Sequence, residues 1–233
     1  MTLTRRIAAE FLGTAFLVAA VVGSGIMGEQ LAGGNVAIAL LANTLATAAT
    51  LVALILTFGP ISGAHFNPAV TLADASQGGL SWNDVSAYVT AQIVGAVCGA
   101  LSAHLMFGQP LIQLSQHARA GGSQLFSEFI ATFGLLSVIW GCLRKRPGAV
   151  PAAVGLYIAG AYWFTASTSF ANPAVTIARS LTNTFSGIRP VDAPGFIAAQ
   201  FSGAFAATFL FRWLFSPIRQ IAADVVVPHE RVS

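Results

Sequence analysis

Asn67-Pro68-Ala69-Val70-Thr71 returns unchanged as Asn172-Pro173-Ala174-Val175-Thr176. Asparagine is among the best helix N-caps and proline is favoured at the first helical position, so each box opens a helix. The surroundings decide where those helices lie. Residues 30–73 and 147–178 carry no charge, and the two stretches number 44 and 32 residues. A helix crossing about 30 Å of hydrocarbon needs about 20 residues. Each stretch therefore holds one full span and an apolar remainder, at 63–75 and 169–181. A helix from Asn67 to Gln77 is roughly 16 Å long, about half the hydrocarbon thickness. The remainders are read as re-entrant half-helices. Non-helical backbone at that depth survives only where it is buried in protein or lines a wet cavity.

Composition sets the same frame. The 233 residues are 55% apolar and 8% charged, against about 25% charged in a typical soluble domain. Eleven basic and eight acidic residues cannot cover a soluble surface of this size, and the mean hydropathy is +0.74. A soluble enzyme, a disordered chain and a nucleic-acid binder are excluded. Charge gaps predict six spans at about 7–27, 36–58, 84–107, 125–143, 150–168 and 195–215. Arg5 and Arg6 precede the first span as in a signal peptide. Its length of about 21 residues, without a cleavage site, marks a retained span instead. Cys98 and Cys142 sit in apolar runs and read as small core residues.

Three local matches recur in the same order. Glu10-Phe11-Leu12 pairs with Glu128-Phe129-Ile130, the two Asn-Pro-Ala boxes pair, and Ala91-Gln92 through Gly95-Ala96 pairs with Ala199-Gln200 through Gly203-Ala204. The chain is thus one domain, residues 1–233, of two repeats at about 1–115 and 120–233. Each repeat holds three spans, an odd number, so the halves lie inverted about a pseudo-twofold axis in the membrane plane. The expected fold is all-α and integral to the membrane: six transmembrane helices, two half-helices and an inverted 3+3 repeat. With the N-terminus inside, eight cations (Arg5, Arg6, Arg144, Lys145, Arg146, Arg212, Arg219, Arg231) fall inside and three (Arg119, Arg179, Arg189) outside. That bias places both termini in the cytoplasm.

The half-helices start at mid-membrane, so their free backbone N–H groups and positive dipole ends meet there. This repels cations without a buried ion. The Asn67 and Asn172 carboxamides cap the helices and are expected to turn their NH2 groups to a lumen. Gly95 and Gly99, with Gly203 and Ala207, form small-xxx-small faces for close helix contact. Tyr157, Tyr162, Trp163 and Trp140 read as span-end or packing aromatics. Glu10 and Glu128 are ionisable groups within spans, costly and usually functional.

The paired boxes Asn67-Pro68-Ala69 and Asn172-Pro173-Ala174, the Ser62-Gly63-Ala64-His65-Phe66 that precedes the first, and the two glutamates resemble the aquaporin or major intrinsic protein family. The resemblance covers nearly the whole chain. It implies a six-span bundle with one pore per subunit, a homotetramer in membrane lipid, no cofactor, and passive flux of water or small neutral solutes across the cell membrane. It also implies that Glu10 and Glu128 accept backbone N–H bonds from the re-entrant loops, and it favours His65 as a pore-lining residue. Counting without gaps from each box places the family's filter at Thr47, Gly160, Ser169 and Val175. Most members carry arginine where Val175 stands, and water-selective ones carry histidine where Gly160 stands. The expected ring is wide and neutral. Arg179 follows Val175 by one turn; it either enters the outer vestibule or, as preferred here, faces a helix dipole or headgroups. The stretch around Val175 is similar to a bacterial subgroup linked to arsenic resistance, which implies polyol-like solutes such as arsenous acid or methylated arsenicals. A secondary transporter is the alternative, since inverted repeats with broken helices also occur there. No nucleophile–base pair or metal cluster suggests an enzyme.

Overall fold

The computed structural model describes residues 1–215; Arg219 and Arg231 of the charge count lie outside the described residues. Among the described residues eight α-helices follow one another: α1 Leu3–Leu31, α2 Val36–Ser62, α3 Pro68–Gln77, α4 Trp82–Met106, α5 Gly122–Lys145, α6 Val150–Phe164, α7 Pro173–Arg179 and α8 Ala193–Leu214. Caps explain several starts. Asn35 accepts from the Ala37 and Ile38 amides to open α2, and Ser81 accepts from Asn83 to open α4. Gly63 ends α2 in the left-handed region at φ 89°, where a side chain would be strained.

Among the described residues, α1, α2, α4, α5 and α8 are long and apolar enough to cross a membrane. The sixth span ends sooner than residue 168. Helix α6 has 15 residues and stops where Thr165 turns extended at φ −107° and ψ 138°. Its own rise is about 22 Å. The 3-10 turn Pro147–Ala149 runs directly into it and adds about 6 Å, which restores most of the bilayer thickness. Helices α3 and α7, at 10 and 7 residues, are the half-helices.

The repeat is visible in the packing. Helix α1 packs on α4 and α2, and α5 packs on α8 and α6. Glycines allow the closest approaches. A methyl group at Gly95 or Gly99 would meet the Phe11 or Ala15 carbonyl oxygen at 2.4 or 2.2 Å, and one at Gly203 would meet that of Phe129 at 2.3 Å. The small side chains of Ala96, Ala100, Ala204 and Ala207 are buried between the same helices. Outward faces are apolar instead: Leu12, Phe16, Leu45, Leu56, Phe126, Leu156 and Phe209 are all exposed. That pattern suits a hydrocarbon solvent and not water.

Candidate functional site

Two short loops lead into the half-helices, and both are built the same way. Ala64 and Phe66 adopt left-handed φ of 49° and 47°; Ser169 and Ala171 do so at 49° and 48°. Such residues cost of order 1–3 kcal/mol each and persist only where the surroundings over-determine them. Here carboxylates supply the constraint. Glu10 accepts from the amides of His65 (3.0 Å) and Phe66 (2.7 Å), the Ser62 hydroxyl (2.6 Å) and the Gln92 amide group (2.8 Å). Glu128 accepts from the amides of Phe170 and Ala171, both 2.9 Å, and from the Gln200 amide group at 2.6 Å. Both glutamates are fully buried. Successive N–H groups in alternating conformations form an anion-binding concavity, and each glutamate fills one.

Gln92 and Gln200 complete the support. Each also donates to a half-helix threonine, Thr71 at 2.8 Å and Thr176 at 2.9 Å. Neither glutamine was singled out from the sequence beyond its place in the repeat. The signal was there: a buried amide recurring at the same point of two apolar spans.

The loops place Asn67 and Asn172 face to face. The Asn67 side-chain oxygen accepts from the Ala69 amide at 2.9 Å, and that of Asn172 accepts from Ala174 at 3.0 Å and Val175 at 3.3 Å. Their NH2 groups cross between the halves. Asn67 donates to the Ala171 carbonyl and Asn172 to the Phe66 carbonyl, both at 2.7 Å. One N–H of each carboxamide is therefore committed to protein, and one remains for the lumen that both residues line. Pro68, Ala69, Pro173 and Ala174 are buried in the first turns of the half-helices.

That lumen offers about 70 Å³ of space to water-sized molecules. Its apolar wall follows the repeat. Leu17 and Val21 in one half are matched by Leu135 and Ile139 in the other, Leu51 and Ile55 by Val154 and Ile158, and Val70 by Val175, and all of them line the lumen. His65 lines it too; its Nδ1 lies 3.1 Å from the Thr71 hydroxyl and its Nε2 lies 3.6 Å from Asp74.

Of the residues counted as a filter, Thr47, Ser169 and Val175 line the lumen, and Gly160 does not. Gly160 is exposed and a methyl group there would meet nothing within 4 Å. Helix geometry explains why. Val154, Ile158 and Tyr162 recur every four residues and form the lumen face of α6; Gly160 lies two residues, about 200°, from the latter two. Tyr162, read as a span-end or packing aromatic, is buried in the core and also lines the lumen on this face, with its hydroxyl 3.4 Å from that of Thr47.

Arg179 sits in the last turn of α7, as expected of a cation near a helix C-terminus, but not among headgroups. It is 2% exposed and lines the lumen, so it faces neither headgroups nor water outside the bundle. Its Nε donates to the Ser186 carbonyl and its guanidinium carbon lies 3.3 Å from the Phe170 ring centroid.

Comparison with known proteins agrees with this geometry. The family model described as major intrinsic protein matches residues 1–166 and 145–233. Aquaglyceroporin AqpS of Rhizobium meliloti (strain 1021) is 57% identical over 219 residues, 94% of this chain and 94% of that protein. Aquaporin NIP1-3 of Oryza sativa subsp. japonica is 32% identical over 225 residues, 93% of this chain and 77% of its own length. The X-ray structure of the aquaglyceroporin from Plasmodium falciparum superposes with a TM-score of 0.73 at 20% identity, covering 94% of this chain and 99% of that chain. At that identity the likeness speaks for the fold.

Proposed function

The chain belongs to the major intrinsic protein family and is a passive membrane channel for water and small solutes of the glycerol kind, and we propose that it conducts small uncharged polyol-like molecules, arsenous acid and methylated arsenicals among them. One observation carries this reading. The lumen wall is apolar on both halves, while Asn67, Asn172, Ser169 and Thr47 place polar groups along it. A solute with hydroxyls on one side and carbon or arsenic on the other matches such a path. Val175 presents a short apolar side chain to the lumen, where the family resemblance implies an arginine in most members. Tyr162 makes the ring narrower than one with Gly160 in it, so the proposed solutes are compact ones.

The protein resides in the cell membrane with both termini cytoplasmic, as a homotetramer in lipid. It holds no cofactor and catalyses no reaction. The transporter alternative needs carboxylates free to couple ions to the solute. Glu10 and Glu128 are each held by three or more donors from the loops and neighbouring helices.

Stopped-flow light scattering on proteoliposomes tests this directly, with water, glycerol, urea and arsenous acid compared. Glycerol and arsenous acid should cross well above the protein-free rate, with no response to an imposed proton or sodium gradient. Val175→Arg should lower the glycerol-to-water ratio about tenfold, a barrier rise of only about 1.4 kcal/mol. Flux that follows an ion gradient would replace the channel reading with the transporter one.

A further inference from the structure

The repeat assigns partners to two residues that the family motifs leave out. Asp74 in α3 and Arg179 in α7 are 105 residues apart, the offset that relates the two boxes, and His65 and Phe170 share that offset. Asp74 and Arg179 are both 2% exposed. At one end of the pore His65 faces Asp74 at 3.6 Å. At the other, Arg179 stacks on Phe170 and, among the described residues, has no carboxylate within ion-pair distance.

Arg179 is held in place and left incomplete. Phe170 is fixed edge-on by Phe196 at 5.2 Å and 76°, and the Arg119 guanidinium carbon lies 5.1 Å from the Phe170 centroid. The Nε bond to Ser186 and the stacked ring orient the guanidinium. Its Nη1 is buried and has no hydrogen-bond partner. The Ser169 hydroxyl, on the same lumen, is likewise buried with its Oγ unpartnered. A buried donor without an acceptor is destabilising, and an oxygen passing through the lumen would satisfy it. Val175 and Arg179 lie one turn apart on α7, so the cation's Cα sits about 6 Å further from Asn172 along the helix.

We propose that Arg179 is the specificity-determining residue of this pore. Its charge and donors stand one turn outward from Val175, repel cations entering from that side, and take the hydroxyl of a neutral solute together with Ser169. Phe170 is its positioning residue. This inference rests on the channel reading above. It adds that the constriction keeps an arginine, contributed by a different residue, in a ring that the box-based count makes neutral.

The test uses the full chain in proteoliposomes, reading water, glycerol and urea flux by light scattering and potassium leak by a fluorescent indicator. Wild-type flux comes first: its absence removes the channel reading, and this one with it. Given flux, Arg179→Met, which keeps length and stem, should raise potassium leak at least tenfold and shift the glycerol-to-water ratio at least threefold. Its melting temperature in detergent should match wild type, which separates a filter role from a merely structural one. Arg179→Lys should keep leak within twofold of wild type while still shifting the solute ratio. Phe170→Leu should give an intermediate leak. Leak and ratio both within twofold of wild type in well-assembled Arg179→Met overturn the proposal. If that variant does not assemble, Arg179→Lys decides: an unchanged solute ratio overturns it, and a shifted ratio with cations still excluded upholds it.

Discussion

A carboxamide offers one acceptor oxygen and two N–H donors, and Asn172 spends them on three different tasks. The oxygen caps α7, one N–H holds the Phe66 carbonyl, and the other is left to the lumen. Asn172→Asp separates these tasks, because aspartate caps a helix as well as asparagine. The lost donor leaves the Phe66 oxygen unsatisfied, at a cost of about 1–3 kcal/mol, and a carboxylate offsets the positive helix ends. Cation conductance in planar bilayers should rise at least tenfold above wild type, with a lowered melting temperature. Background conductance in a well-assembled variant would show that the dipole ends and Asn172 do not set charge exclusion. The boxes were legible because a cap and its proline are adjacent in sequence. Gly160 was misplaced because the count from Asn172 runs back through 165–171, where the backbone is not helical. Residue number carries no angular phase across such a segment. Gly160→His should therefore leave the glycerol-to-water ratio within twofold of wild type; a tenfold fall would return Gly160 to the filter.

Helix contacts in this fold depend on backbone reaching backbone. Glu10 on α1 can hold the first loop together with Gln92 on α4 only if the two helices lie close, and Gly95 and Gly99 set that distance. Gly203 plays the same part between α5 and α8. A methyl group at 2.2–2.4 Å from a carbonyl oxygen has no flexible side chain to displace. Gly95→Ala and Gly203→Ala should each lower stability by about 1–3 kcal/mol, read as a drop in melting temperature in detergent, with reduced water flux as the loops lose their support. Wild-type melting in both would mean that the helices part at no cost. At this scale the sequence was informative: charge gaps located the spans, and the surplus apolar residues in two gaps marked α3 and α7. The end of α6 was not legible, since residues 165–168 are as uncharged as the helix before them. What stops it is tertiary: the Ala166 amide donates to the Ser127 hydroxyl, and Arg119 donates to the Ser167 carbonyl.

Inversion makes the two membrane faces chemically alike in plan and different in charge. Asp84 and Asp192 are 108 residues apart, the offset that relates Gln92 to Gln200. Asp84, in the first turn of α4, pairs with Arg6 at 2.6 Å, and Asp192, just before α8, accepts from the Arg119 backbone amide and the Arg189 guanidinium. Each pairing ties the start of one half's last helix to the entrance of its first, so the two pairings mark opposite faces. The Arg189 bonds hold the Asp192 carboxyl below the usual carboxylate range. The proposed topology, with both termini cytoplasmic, puts the Arg6–Asp84 face in the cytoplasm along with the 144–146 cluster. Two single cysteines read this out in a background where Cys98 and Cys142 are alanine. Val191 is 76% exposed beside Asp192, and Gly148 is exposed beside the 144–146 cluster. Val191→Cys should react with a membrane-impermeant maleimide in intact cells at least tenfold faster than Gly148→Cys, and permeabilisation should bring the two rates together. The opposite order would invert the whole molecule, placing Arg179 at the cytoplasmic mouth and His65 with Asp74 at the outer one. Solutes crossing in either direction would still pass the same filter, now met first from the cytoplasm, because the lumen and its repeat are indifferent to which face is called outside.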